Sequence, residues 1–237
     1  MDRDSVSAHA ISPHQRRSQL PISGVAIGLM LACQIAIPAV LYSTAGHAED
    51  TGTVSKQQVA AKLAYCEVCH GVAAQGFHGY YPIPRLAGQQ PEYLQNQLQA
   101  FVEHRRTNNI MFNVGHVLSP AMIAALAADF NALDPKPLSG GPKNLAATGK
   151  KIFEDGDPNG NVPPCASCHG PDAKGNGQFP RLAGQLFDYL TNKLTNWDKE
   201  RGQNPAKPDT SAIMEPIAHS LTQPQIKAVA AYLSYLE

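Results

Sequence analysis

The string Cys66-Glu67-Val68-Cys69-His70-Gly71 returns later in the chain as Cys165-Ala166-Ser167-Cys168-His169-Gly170. Two thiols two residues apart can each bond one vinyl group of a haem, and the adjacent histidine is then held against the iron. A lone Cys-x-x-Cys says little, because redox dithiols and zinc sites share it. Here histidine follows each pair directly, the string occurs twice, and no second Cys/His pair follows at zinc-finger spacing. These residues therefore read as two covalent haem sites, with thioethers at Cys66 and Cys69 and at Cys165 and Cys168. His70 and His169 are the expected proximal ligands.

Working outward from the two strings, the chain aligns with itself. Pro84-Arg85-Leu86-Ala87-Gly88-Gln89 matches Pro180-Arg181-Leu182-Ala183-Gly184-Gln185. Tyr93-Leu94, Leu98, Phe101 and Arg105 match Tyr189-Leu190, Leu194, Trp197 and Arg201. Ile110-Met111 matches Ile213-Met214, and His116-Val117-Leu118-Ser119 matches His219-Ser220-Leu221-Thr222. The organisation expected is a first domain over residues 49–134, a linker over 135–143 and a second domain over 144–237. Asp134-Pro135-Lys136-Pro137-Leu138-Ser139-Gly140-Gly141-Pro142 has the proline and glycine content of such a linker.

Apolar residues recur at helical spacing in both halves, and no alternating strand pattern competes. Helices are expected at Gln57–Tyr65, Tyr93–Glu103, Ala121–Leu133, Leu145–Phe153, Tyr189–Trp197 and Pro224–Leu236. Ser119 and Thr222 read as N-caps, with Pro120 suited to a first helical turn. Halves of this size hold little apolar mass, so a buried haem would supply much of each core.

The second axial ligand has to come from downstream. Met111 and Met214 are the methionines that align between the repeats, in a setting that reads as polar and loop-like. A methionine sulfur raises the haem potential and closes the iron to small molecules. His116 and His219 form a rival pair, but their place just before helix caps suits a local hydrogen bond. Met122 reads as core, and the unrepeated His78 and His104 read as surface residues. The carbonyls of Pro84 and Pro180 could accept from the proximal imidazoles and orient them. Arg85 and Arg181 could pair with haem propionates, or be a solvated surface pair. Gly88 and Gly184 serve the turn.

The rest of the composition narrows the reading. Nineteen basic and nineteen acidic side chains balance, which gives no support for nucleic-acid binding. Four of the five cysteines sit in the two haem strings, leaving no pair for a disulfide framework. The fifth, Cys33, reads as apolar filler in the run from Ile22 to Tyr42. Arg16 and Arg17 precede that run, and Gly46-His47-Ala48 follows it, so residues 1–48 read as an export signal cut before Glu49. The run is also long enough for an uncleaved membrane anchor. Either way the folded part faces the periplasm, where bacteria attach haem covalently.

On both Cys-x-x-Cys-His-Gly strings, both Pro-Arg-Leu-Ala-Gly-Gln loops, the Tyr-Leu helices with Arg105 and Arg201, and the two downstream methionines, the chain resembles the cytochrome c4 family of periplasmic dihaem electron carriers. The resemblance covers nearly all of residues 55–237. It implies an all-α fold of two tandem class I cytochrome c domains with pseudo-twofold packing. It also implies axial pairs His70/Met111 and His169/Met214, and electron transfer from a quinol-oxidising complex towards a terminal oxidase. A cytochrome subunit of a dehydrogenase or oxidase complex would share the fold and the ligands. A dihaem peroxidase would need an open distal position, which the repeated methionines argue against.

Overall fold

The structure is a computed structural model, and it describes residues 53–202, 204, 206 and 210–237. The proposed signal or anchor over residues 1–48, with its apolar run and Cys33, lies outside the described residues. Among the described residues there are helices, tight turns and isolated bridges, and no extended strand.

Helix α1 (Lys56–His70) opens on a capping box. The Ser55 hydroxyl accepts from the Gln58 N–H, and the Gln58 side chain accepts from the Ser55 N–H. It continues past the expected end at Tyr65 and carries Cys66, Cys69 and His70 on its last turns. Gly71 stops it, with φ +80° and so little room that a Cβ would lie 2.4 Å from the Gly76 carbonyl oxygen. Helix α2 (Pro91–Val102) takes proline in its first turn, and α3 (Asn109–Gly115) is capped by Asn108. Helix α4 (Pro120–Ala132) starts from the Ser119 cap and packs across α1 and α2. Val59, Leu94, Leu126, Ala127 and Phe130 form the buried centre of this first domain.

The second domain repeats the plan with differences. Helix α5 (Ala146–Asp155) is followed by a loop, then by the short α6 (Ala166–His169) carrying the second haem string. The expected helix Tyr189–Trp197 is two pieces, α7 (Phe187–Thr195) and α8 (Trp197–Glu200), broken at Asn196. Then come α9 (Ser211–Ser220) and α10 (Gln223–Ser234), the latter opened by a Thr222–Gln225 capping box. Helices α5 and α10 cross at Gly149, where a Cβ would lie 1.9 Å from the Ala228 carbonyl oxygen. Phe153 is wholly buried among Leu190, Val229, Ala230 and Leu233.

The two loops that start Pro-Arg-Leu-Ala-Gly-Gln tie each domain's haem string to its last helix. Ala74 and Ala173 carbonyls accept from Leu86 and Ala87 and from Leu182 and Ala183. Gly88 and Gly184, with φ +70° and +69°, then donate to the carbonyls of Phe130 and Leu233. Each loop is thereby pinned between its own haem string and its own C-terminal helix.

Candidate haem sites and the seam between the domains

Each histidine expected as a proximal ligand is held by one carbonyl. His70 Nδ1 lies 2.9 Å from the Pro84 oxygen, and His169 Nδ1 lies 2.9 Å from the Pro180 oxygen. A carbonyl only accepts, so Nδ1 carries the hydrogen and Nε2 keeps its lone pair. Burial lowers the pKa of both imidazoles, more than the carbonyl contacts raise it, which favours the neutral ring a metal needs.

The thiols point to the same chemistry. Burial pushes Cys66 up, and it pushes Cys165 up to about 11. Thiols held protonated near neutrality are unlike the low-pKa thiolates of redox dithiols or of zinc sites. One partly buried thiol and its exposed Cys-x-x-Cys partner, beside a buried neutral imidazole, fit a thioether-bound haem in each domain.

Met111 and Met214 lie on helices rather than in loops, which corrects the loop-like reading. Met111 is in the first turn of α3, its N–H held by the Asn108 side chain at 3.0 Å. Met214 is in the first turn of α9. In both helices the preceding residue, Ile110 or Ile213, is exposed while the methionine is half-buried. Helix α3 has only seven residues and α9 holds Pro216 in its interior, so neither announces a helix in the sequence. The rival histidines are engaged at the surface. His116 Nδ1 donates to the Phe112 carbonyl and its ring stacks on Phe112, whose other contact is His104. His219 Nε2 is 2.7 Å from Asp198 Oδ1. Met122 packs against the first domain's core, and His78 sits 3.7 Å from Asp188.

Arg85 and Arg181 are not a solvated pair. They are 3% and 7% exposed, at a seam where the two repeated loops meet. Gln89 donates to the Arg181 carbonyl at 3.0 Å and accepts from the Arg181 N–H at 2.6 Å. Gln185 does the same to Arg85, at 3.0 and 2.9 Å. This exchange is the pseudo-twofold packing expressed in four hydrogen bonds. A second reciprocal contact lies beside it. Arg106 donates to Gln97 and to the Tyr189 hydroxyl, while Arg201 donates to the same Gln97 and reaches the Tyr93 hydroxyl. Arg106 stacks over Phe101, and Arg201 over Trp197. Arg106, not Arg105, is therefore the structural counterpart of Arg201. Arg105 pairs instead with Glu103 and Asn96. One extra residue in the first repeat shifts the register just there.

The Cytochrome c family model matches this chain twice, over residues 55–134 and 146–237. Cytochrome c-552 of Acidithiobacillus ferridurans is 43% identical over 177 residues, covering 72% of this chain and 73% of that one. The solved Acidithiobacillus ferrooxidans cytochrome c4 superposes with a TM-score of 0.61 at 40% identity, over 73% of this chain and 99% of that one. The chain belongs to the cytochrome c4 family. It is a dihaem c-type cytochrome with two covalently bound haems. A further relative, the thiosulfate dehydrogenase electron acceptor of Thiomonas intermedia, is 36% identical over 73% of this chain and 79% of its own length.

The sequence reading passed over Gln89, Gln185, Tyr93, Tyr189 and Arg106 as site residues. The first four were visible as polar residues repeated at equivalent positions of the two halves. Arg106 left no such trace, because its partner stands in a shifted register.

Proposed function

We propose that this cytochrome carries single electrons in the periplasm through two six-coordinate haems, without turning over a substrate. Its axial pairs are His70 with Met111 and His169 with Met214. The observation that carries this is the equivalence of the two sites: each histidine donates from Nδ1 to a proline carbonyl and keeps Nε2 for iron. The haem supplies a one-electron iron couple when bound. The chain's own residues do the rest. Cys66, Cys69, Cys165 and Cys168 anchor it, Pro84 and Pro180 orient the imidazoles, and the methionines close the remaining axial position. Arg85 and Arg181 bring buried positive charge towards the haem carboxylates.

The donor is a quinol-oxidising complex or a periplasmic dehydrogenase, and the acceptor a terminal oxidase. The dehydrogenase arm draws on the Thiomonas intermedia relative, whose name gives it as a thiosulfate dehydrogenase electron acceptor. Residues 1–48 direct the chain to the periplasm, as a cleaved signal or as an anchor. Residues 49–134 and 144–237 are the two haem domains, joined through 135–143. Among the described residues, no single helix is long and apolar enough to cross a membrane.

The test is spectroscopic. The oxidised protein should show the weak near-infrared band of an iron–methionine bond. Met111→Ala and Met214→Ala should each remove it at one haem, and His116→Ala and His219→Ala should leave it intact. A high-spin haem binding carbon monoxide or peroxide at native pH refutes the closed-carrier reading.

A further inference from the structure

The Arg85 and Arg181 guanidiniums come from opposite domains yet end near the same acid. Each donates Nε to a carbonyl of its own loop at 3.0 Å, that of Ala87 or Ala183. Arg85 also donates to the Pro135 carbonyl at 2.8 Å, so the linker is part of its cage. Arg181 crosses the seam and covers Gly88, where a Cβ would lie 3.0 Å from its Nη1. One Asp134 oxygen then stands 3.5 Å from Arg85 Nη2 and 3.8 Å from Arg181 Nη2. The two Nη2 atoms are buried and make no hydrogen bond to the chain.

We propose that Asp134 is the shared counter-ion of Arg85 and Arg181, and that through them it sets the potentials of both haems together. The reasoning is electrostatic. Two buried like charges repel and resist desolvation. Desolvation, and then the charge of Arg181, pull the Arg85 pKa down to about 10, which still leaves it charged near neutrality. Asp134 opposes both effects. The arginines directly follow Pro84 and Pro180, whose carbonyls hold the two proximal histidines. One carboxylate, itself 77% exposed, thus touches both arginines, each of which follows the proline holding a histidine, at the point where the chain passes from one domain to the other. Removing its negative charge makes the surroundings of the arginine pair more positive and favours the state holding the extra electron. Both potentials therefore rise.

This inference rests on the closed-carrier reading, so the holoprotein is first checked for two low-spin c-type haems; their absence refutes that reading, not this one. Spectroelectrochemical titration of full-length holoprotein then compares wild type with Asp134→Asn. At a fixed ambient potential the reduced-to-oxidised ratio should rise about two- to threefold at each haem, the scale of one partly screened charge at nanometre range. Asp134→Glu should restore both ratios. Asp129→Asn, on α4 and exposed as Asp134 is, should shift them less. The proposal is overturned if Asp134→Asn moves neither haem or only one, or if Asp129→Asn moves both as far. Unchanged potentials with lowered thermal stability also overturn it, since Asp134 would then be a structural strap alone.

Discussion

Replacing Gln89 with alanine tests whether the seam between the domains is held by polar exchange rather than by apolar contact. The side chain is buried and bonds both main-chain groups of Arg181, at 3.0 and 2.6 Å, and also accepts from the Gln90 N–H. Alanine leaves the Arg181 N–H and C=O without these partners at a buried site. Each buried unsatisfied group costs about 1–3 kcal/mol, so the loss should be about 2–6 kcal/mol. Gln185→Ala should cost a similar amount, because it orphans the same two groups of Arg85. The two glutamines touch different residues, so simple additivity would be expected of independent sites. The seam is one interface, however, and once opened it has little left to lose. The double variant should therefore lose less than the sum. Denaturant unfolding of the holoprotein, followed by far-ultraviolet circular dichroism, gives all four corners of the cycle. A loss below about 0.5 kcal/mol for each single variant, the range of an ordinary surface substitution, would refute the reasoning.

Gly149→Ala exploits a conflict of signs. Alanine in a helix interior normally gains about 1 kcal/mol over glycine. Here its Cβ would meet the Ala228 carbonyl oxygen at 1.9 Å, so the variant should be destabilised and a raised Tm would contradict the α5–α10 crossing. Tyr189→Phe removes the hydroxyl that accepts from buried Arg106 at 2.9 Å. Stability should fall by about 1–3 kcal/mol in chemical denaturation. An unchanged midpoint would mean that the bond contributes nothing net.

Most of the haem chemistry was legible because it is local. A thioether pair and its histidine need a fixed spacing along one helical turn, and that spacing survives as a motif at Cys66–His70 and Cys165–His169. The caps at Ser119 and Thr222 were legible for the same reason, since a cap acts within three residues. Local signals also misled. Met111 and Met214 read as loop residues because α3 is short, α9 contains Pro216, and both follow polar sequence. The Tyr189 segment read as one helix because nothing in its apolar pattern marks the break at Asn196.

By itself the sequence determined that two homologous haem domains follow one another, since duplication and attachment chemistry are written residue by residue. Only the tertiary structure decided what the repeated Pro-Arg-Leu-Ala-Gly-Gln loops do besides hold a histidine. They meet across a pseudo-twofold seam, where Gln89 and Gln185 exchange backbone partners and Asp134 stands between two arginines. A contact between residues about a hundred positions apart leaves no spacing rule in the chain. Whether an arginine lies in solvent or beside a like charge depends on what the other domain brings to it.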